Sequence, residues 1–274
     1  MRRQSYEAWE AMAAGWERAL ERIEASATPV REWLIRELAP GPGDTLLDLA
    51  AGPGETGFAA AELVGDEGRV ISSDRSPAMV EVGRRRAAEL RLQNVEHRVL
   101  DAEDLDLADA AVDGVICRFG YMLMVDPGQA LKETRRVLRP GGRLVFAVWR
   151  EAERNPWVAA PGRMFVRHGL VPPPEPGAPG MFAMASDERI HELLEGAGFA
   201  PRRIEDIAVR FVAESLDAYI AGARETGGIF ARAWEAASEA ERVEMTEELA
   251  TAFAPYHTDG GLELPGVAVG VAAD

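Results

Sequence analysis

The stretch Leu46–Gly57, LLDLAAGPGETG, decides the fold, because a short apolar run leads into a glycine-rich turn and then into a predicted helix. Glycine lets the backbone approach a ligand where a β-carbon would clash. The start of the helix offers free backbone N–H groups beside the turn. Gly52, Gly54 and Gly57 also match the G-x-G-x-x-G pattern of dinucleotide-binding turns, which is weak evidence by itself. The stretch therefore predicts a strand, a ligand-binding turn and a helix.

Strands and helices alternate after this stretch. Apolar runs predict strands at 45–50, 69–73, 95–99, 112–118 and 143–149, with helices between them up to Leu63, at 77–90 and at 127–138, and a Pro-Gly-Gly turn before the fifth strand. Regular alternation of this kind predicts right-handed strand–helix–strand units and a parallel sheet. Residues 203–212 and 267–272 supply two further strands, the second of them predicted at the edge of the sheet.

The flanking segments are predicted to be mainly helical. Apolar residues recur at helical spacing over 6–38, and the patterns at 186–195, 215–224 and 231–253 also predict helices. The proline-rich segment 171–180 predicts a stiff loop. We expect a helical lid at 1–40, a core domain at 41–150, and cap insertions plus the last two strands within 151–274.

Composition limits the classes of partner. The 274 residues are 47% hydrophobic and carry a net charge of −16, so a nucleic-acid partner and an anionic membrane are not expected. Cys117 is the single cysteine, so no intramolecular disulfide or cysteine-based zinc site can form. No carboxylate cluster predicts a metal site. The sequence shows no secretory signal and no apolar run of bilayer length, so we expect a cytoplasmic protein, and its oligomeric state is not predicted.

Asp74 supports the ligand-binding interpretation of the turn. It closes the second predicted strand, about 20 residues beyond the glycines, where a carboxylate can accept hydrogen bonds from both hydroxyls of a ribose. NAD and S-adenosylmethionine both carry an adenosine ribose, so Asp74 fits either. The alternative is a structural role at the helix start, because Ser76 and Pro77 follow.

Two other acidic residues help to distinguish an S-adenosylmethionine site from an NAD site. Asp48 lies inside the strand before the glycines, where a carboxylate suits an ammonium and sulfonium ligand and opposes a pyrophosphate. Asp101 follows the third strand, where it can accept a hydrogen bond from an adenine amino group or cap the next turn. Both acids favour S-adenosylmethionine over NAD.

At this point the chain resembles the class I S-adenosylmethionine-dependent methyltransferases, and within them the ubiquinone/menaquinone C-methyltransferase-like, small-molecule branch. The resemblance covers about residues 40–150, with Thr56 as a departure where many members have a third closely spaced glycine. It implies an α/β fold with a Rossmann-like, doubly wound sheet of seven strands, the last antiparallel, and a mainly helical cap. The apolar side chains of the cap indicate a small, partly apolar acceptor, which we expect to be methylated on carbon or oxygen; they are Met164, Phe165, Met181, Phe182, Met184 and Phe230.

The resemblance also implies roles for particular residues. Asp74 would hold the ribose, and Asp101 and Ala102 would contact the adenine. Asp48 and the loop around Gly52 would surround the methionine end, and Cys117 would lie beside the transferring methyl group. The full set of cofactor residues implied in this way is Asp48, Ala50, Gly52, Gly54, Asp74, Arg75, Met79, Asp101, Ala102 and Cys117.

Methyl transfer from a sulfonium needs alignment and exclusion of water more than it needs an acid or a base. If a base exists, we expect it to be Tyr121, directly after the fourth strand, or His257, in a loop that can fold over the site. His168 and His191 are expected to have structural roles. Two other functions stay open: an NAD-dependent oxidoreductase and a non-catalytic S-adenosylmethionine-binding protein.

Overall fold

The computed structural model describes residues 2–175, 177–226 and 228–274, so Met1, Gly227 and Pro176 of the predicted stiff loop lie outside the described residues. Its helices are α1 (Arg2–Arg18), α2 (Leu20–Leu38), α3 (Glu55–Val64), α4 (Pro77–Glu89), α5 (Pro127–Val137), α6 (Pro156–Arg167), α7 (Asp187–Gly196), α8 (Leu216–Glu225), α9 (Gly228–Ala236) and α10 (Glu239–Phe253). Its strands are β1 (Thr45–Leu49), β2 (Arg69–Asp74), β3 (Val95–Val99), β4 (Val112–Arg118), β5 (Leu138–Trp149), β6 (Pro201–Ala213), β7 (His257–Thr258) and β8 (Gly261–Ala273).

These strands form one sheet in the order β3-β2-β1-β4-β5-β8-β6, and the two-residue β7 pairs with β8. Strands β1 to β5 are parallel to one another, whereas β8 runs antiparallel to both β5 and β6. The order reverses between β1 and β4, so the carboxyl ends of these two strands flank the crevice where open α/β sheets bind ligands. The predicted Rossmann-like α/β fold with an antiparallel last strand is confirmed.

Apolar side chains from both faces of the central strands make the main core. Leu46, Leu47 and Leu49 of β1 and Val115 of β4 are buried, as expected for strands that have helices on both faces. Asp48 is the exception, because its carboxylate is 1% exposed within the same strand. A buried acid is costly unless something compensates its charge. Asp48 therefore marks the end of β1 as a candidate functional site.

The prediction of one helix over 6–38 is wrong, since α1 ends at Arg18 and α2 begins at Leu20. Hydrogen bonds from the Ala19 amide to Gly15 O and from Ile23 to Ala19 O, both 3.0 Å, still cross the break, so the helices meet at a bend. A β-carbon on Gly15 would collide with the backbone carbonyl of Glu225 at the end of α8. This tertiary contact leaves no mark in the hydrophobic periodicity.

The prediction of one helix over 231–253 is also wrong. Helix α9 ends at Ala236, and Ser238 begins α10 with a capping box, in which its hydroxyl accepts from the Glu241 amide and Glu241 accepts from the Ser238 amide. With α6 and α8, these helices pack around a second apolar cluster that includes Phe165 and Phe253. This cluster lies within 151–274, where the cap insertions are predicted.

Strand β8 is interior, not at the edge as predicted for 267–272. Residues 268, 269 and 271–273 are buried between β5 and β6, and β6 forms the edge. The predicted turn at 138–142 is part of β5, which begins at Leu138 paired with Val112 and shifts register before Gly114. Gly141, at φ +80°, provides the irregular backbone of that shift.

The division into lid, core and cap stays a prediction. Trp33 of α2 lies directly against the β8 backbone, because a β-carbon on Gly270 would be 2.6 Å from its ring. In the parts of the chain that the structure describes, no helix combines the length and apolar character needed to cross a bilayer.

Candidate cofactor site at the carboxyl edge of the sheet

The loop after β1 holds three left-handed residues, at alternate positions around the predicted cradle. Ala50 has φ +55°, Gly52 +55° and Gly54 +98°. A β-carbon on Gly52 would have nothing within 4 Å, whereas one on Gly54 would lie 2.5 Å from the ring of Phe58. Gly52 therefore borders open space, and Gly54 is needed for the packing of α3 against its own loop.

Asp74 ties this loop to the end of β2. Its Oδ2 accepts a hydrogen bond from the Gly52 amide at 3.0 Å, and its Oδ1 accepts from the Ser76 amide at 2.9 Å. Burial raises the pKa of Asp74, and these two N–H groups partly offset that rise. Each carboxylate oxygen has a second lone pair, so Asp74 can still accept from a diol. The alternative role at the start of α4 is observed as well, in the bond from Ser76.

Asp48 lies below the same loop. Its Oδ2 accepts from the Gly57 amide at 2.7 Å, and a β-carbon on Gly57 would lie 2.6 Å from that oxygen. Burial raises the pKa of Asp48 to about 7, although Arg118 and the Gly57 amide lower it. Gly57 is thus required by the packing of Asp48, a reason that the glycine spacing alone does not reveal.

Asp101 and Ala102 follow β3 at the same edge of the sheet and are half-buried. Asp101 Oδ1 accepts from the Glu103 amide at 3.1 Å, and Oδ2 lies 3.7 Å from Arg75 Nε. The predicted turn-capping role is therefore present. Oδ2 faces only a long ion pair and retains capacity for a further donor.

The end of β4 meets the end of β1 through Gly120. A β-carbon there would lie 2.6 Å from Cys117 Sγ and 2.8 Å from Ala50 Cβ. Cys117 is buried, which raises its pKa to about 12, so the thiol stays neutral at physiological pH. Phe119 has φ +64°, a conformation that costs a non-glycine residue about 1–2 kcal/mol. Two strained residues, Phe119 and Ala50, thus stand at the ends of adjacent strands, a distribution typical of functional sites.

Helix α1 covers the first turn of α4. Met79 is 1% exposed and packs with Ala13, Trp9 and Trp16 of α1. Glu10 Oε1 accepts from the Ser76 hydroxyl at 3.0 Å and from the Ala78 amide at 2.9 Å. Sequence reasoning missed Glu10, because an acid on an amphipathic helix gives no sign of the helix end that it will cap.

The structure places Tyr121 in the core. Its side chain is fully buried, its hydroxyl lies 2.6 Å from Thr134 Oγ1, and its ring packs edge-on against Phe146. Burial raises the pKa of Tyr121 well above its usual value. A buried phenol with a protein partner is suited to packing, and its placement does not favour the predicted role as a proton acceptor.

His257 is exposed on β7, where it pairs with Leu262 of β8. Trp149, the last residue of β5, pairs with Ala268, six residues further along β8. Six residues of strand span about 20 Å, so His257 stands well beyond the carboxyl ends of the parallel strands. It lines a cavity of about 300 Å³ with Arg210 and Tyr256. The structure does not bring His257 together with the glycine loop.

His168 and His191 have structural partners, as expected. His168 Nε2 lies 2.7 Å from Glu248 in the cap, and His191 Nδ1 lies 2.7 Å from the Asp187 carbonyl one helical turn earlier.

The residues of the glycine loop fit S-adenosylmethionine. Asp48 is buried, Asp74 is half-buried, and both have raised pKa values, so a cation or hydroxyl donors beside them would stabilise their ionised forms. The Thr56 hydroxyl in the first turn of α3 is buried and makes no hydrogen bond within the described chain. A pyrophosphate in this position would face Asp48, which argues against NAD.

Comparison with known proteins identifies a methyltransferase domain in the part of the chain that contains the glycine loop. Residues 40–164 match the family model described as a methyltransferase domain. The chain is 44% identical over 111 residues to a demethylmenaquinone methyltransferase of Clavibacter sepedonicus, covering 40% of this chain and 43% of the relative. It is 38% identical over 109 residues to an arsenite methyltransferase of Halobacterium salinarum, covering 40% of this chain and 28% of the relative. The match thus spans less than half of each curated relative.

The fold extends beyond this region. A putative methyltransferase of Bacillus halodurans superposes with a TM-score of 0.62 at 19% identity, covering 89% of this chain and 97% of that one. Residues 40–164 are thus similar to methyltransferase domains, and the chain is similar to the ubiquinone/menaquinone C-methyltransferases over 38–42% of its length. The strand order and the superposition show the fold of an S-adenosylmethionine-dependent methyltransferase.

Proposed function

We propose that the whole chain is an enzyme that transfers the methyl group of S-adenosylmethionine to a small, partly apolar molecule. The observation that carries the proposal is the pair of carboxylates at the ends of adjacent strands, the buried Asp48 and the half-buried Asp74, with Gly52 joined to Asp74 and bordering open space. Bound there, the cofactor supplies an activated methyl group on a sulfonium.

The residues of this chain bind and orient. Asp74 accepts the ribose hydroxyls, and Asp101 and Ala102 contact the adenine edge. Asp48 balances the positive charge of the methionine end. The other residues that we assign to the cofactor are Ala50, Gly52, Gly54, Arg75, Met79 and Cys117.

The acceptor side of the site is aromatic. Phe119 stacks on Trp149 with centroids 4.2 Å apart, and Trp149 packs edge-on against Trp157, which stacks on Phe211. This column, Phe119–Trp149–Trp157–Phe211, runs from the end of β4 towards the cap, and it supports an acceptor with an apolar body. Because the curated relatives act on chemically different acceptors, a quinone precursor and arsenite by name, the shared core does not identify the acceptor.

Calorimetry tests the cofactor. S-Adenosylhomocysteine should bind and NADH should not, since Asp48, in the strand before the loop, would oppose a pyrophosphate. Binding of NADH in place of S-adenosylhomocysteine would support the oxidoreductase alternative instead.

Turnover needs a second experiment. The protein is incubated with S-adenosylmethionine labelled in its methyl group and a panel of small phenols, quinols and carboxylic acids. Transfer of label to an organic acceptor supports the enzyme. Tight cofactor binding with no transfer to any acceptor would favour the non-catalytic alternative. The net charge of −16 makes nucleic acid an unsuitable acceptor, and RNA in the same assay should stay unlabelled.

A further inference from the structure

A cluster of three charged residues lies at the end of β4, outside the set assigned to the cofactor. Arg118, the last residue of β4, donates from Nη1 to Glu24 Oε2 at 3.2 Å and from Nη2 to Glu24 Oε1. Arg31, two turns later on α2, donates to the same Oε2 at 2.7 Å. The side chains of Arg118 and Glu24 are only 12% and 13% exposed.

The cluster stands at the ligand-binding edge of the sheet. Leu38, at the end of α2, lies against Gly114 early in β4, and Glu24 lies against Arg118 at its end, so α2 runs antiparallel to the strand. Arg118 lies between Cys117 and the strained Phe119. Its guanidinium is also close enough to Asp48 to lower the pKa of that carboxylate. Arg118 therefore borders the place where the methyl group is expected.

An ion pair this buried gains little net stability, because desolvation offsets the attraction between the charges. The arrangement of the ion pair, however, would allow another anion to replace Glu24 as the partner of Arg118. Glu24 keeps a second cation, Arg31, and would remain paired if Arg118 released it. Glu24 also lies in the first two turns of α2, just after the break at Ala19.

We propose that Arg118 binds an anionic oxygen of the methyl acceptor, a carboxylate or an ionised phenol, and that Glu24 holds this position when no acceptor is bound. The proposal rests on the proposed function and adds the charge of the substrate to it. A guanidinium presents a planar set of five N–H donors that matches a carboxylate in a bidentate manner. The adjacent Phe119–Trp149 stack would contact the apolar body of the same molecule.

The test uses protein saturated with S-adenosylhomocysteine, titrated with two anion and neutral pairs. Benzoate is compared with benzamide, and 4-nitrophenol above its pKa is compared with nitrobenzene. Wild type should bind at least one anion about 10-fold or more tightly than its neutral partner, the value of one charge-assisted hydrogen bond. Which pair shows the preference separates a carboxylate from a phenolate.

Variants assign the preference to the cluster. Arg118→Met should abolish it, Glu24→Gln should strengthen anion binding because the competing charge is gone, and Arg189→Met, which removes a surface ion pair on α7, should change nothing. Arg118→Met leaves the carboxylate of Glu24 without one of its two cations and can fail to fold. In that case the double variant Glu24→Gln/Arg118→Met, which removes both charges, takes the place of the single variant in the titrations.

Two results would overturn the proposal: equal or undetectable binding of anions and neutral partners by wild type, or a preference that survives in Arg118→Met or in the double variant. S-Adenosylhomocysteine affinity is measured in every variant. If wild type binds S-adenosylhomocysteine but shows no anion preference, only the role of Arg118 fails. If it does not bind S-adenosylhomocysteine, the proposed function fails with it.

Discussion

The backbone amide of Gly52 donates to the Asp74 carboxylate at 3.0 Å, so the turn after β1 is held by the end of β2. A second bond, from the Ala51 amide to the Ser73 carbonyl at 2.8 Å, runs between the same two segments. The loop is therefore fixed before any ligand arrives, and binding does not have to order it. The acid that we assign to the ribose is also the acid that positions the glycine beside it.

Replacing Asp74 with Asn should weaken S-adenosylhomocysteine binding by about 10-fold or more, because one charge-assisted bond is worth about 1.5–3 kcal/mol. Asn is a sharper test than Ala, since its amide oxygen can still accept one of the N–H groups of Gly52 and Ser76. Calorimetry measures the affinity. Asp106→Ala, at an exposed acid, is the control. Unchanged affinity in Asp74→Asn would remove Asp74 from the site.

Binding of S-adenosylmethionine should strengthen as pH rises through about 7. Burial raises the pKa of Asp48 to about 7, and the ionised form attracts a ligand with a sulfonium and an ammonium group. Binding should therefore release a proton below this pH. Calorimetry in buffers of different ionisation enthalpy detects that proton. Asp48→Asn should bind more weakly and lose the pH dependence, and a variant that kept it would place the titrating group elsewhere.

The ligand-free protein should respond to pH in the opposite direction. Asp48 has a folded pKa near 7 and an unfolded pKa near 3.8, so between these values the native state binds more protons. The free energy of unfolding should therefore fall as pH rises from about 4 to 7, by an amount on the order of 4 kcal/mol. Asp74, whose pKa burial also raises, acts in the same direction. Denaturant melts of wild type and Asp48→Asn measure the slope, and equal slopes would contradict this origin.

Sequence patterns predicted the strands and the glycine loop well, because these depend on local apolar runs and on glycines that need positive φ. These patterns failed where tertiary contacts determine the end of a helix or the position of a strand in the sheet. The bend at Ala19 accompanies the packing of Gly15 on Glu225, and the interior place of β8 depends on the partners it finds. For β8 a signal existed, since the run 267–273 is apolar on both faces, as interior strands are.

Some residues of the candidate site could be predicted from local sequence patterns, and others could not. Asp48 and Asp74 could be proposed from their spacing to the glycines. Glu24, Arg118 and Glu10 form contacts between residues more than 60 positions apart, which no local pattern contains. Tyr121 is an example. Its position directly after β4 predicts that its backbone lies near the site, but does not predict whether the side chain points into the site or into the core.

The two loop glycines should respond differently to substitution. Gly54→Val should destabilise the fold, because a β-carbon would meet Phe58 at 2.5 Å in a backbone with φ +98°. Gly52→Val has space within the protein, so beyond the strain of its φ, about 1–2 kcal/mol, it should mainly block the cofactor. Thermal melts and S-adenosylhomocysteine titrations are compared for both variants. Normal cofactor binding by folded Gly52→Val would mean that the ligand does not pass this residue.

Replacing Tyr121 with Phe should test whether its hydroxyl has any role beyond packing. The hydroxyl lies 2.6 Å from Thr134 Oγ1, which also donates to the Ala130 carbonyl at 2.9 Å, so Thr134 keeps a partner in the variant. The expected loss is about 1 kcal/mol of stability, the net value of one hydrogen bond. Turnover of whichever acceptor is identified, and S-adenosylhomocysteine affinity, should stay close to wild type. A fall in turnover of about 100-fold or more, with S-adenosylhomocysteine affinity unchanged, is the signature of a lost general base. That result would support Tyr121 as the proton acceptor.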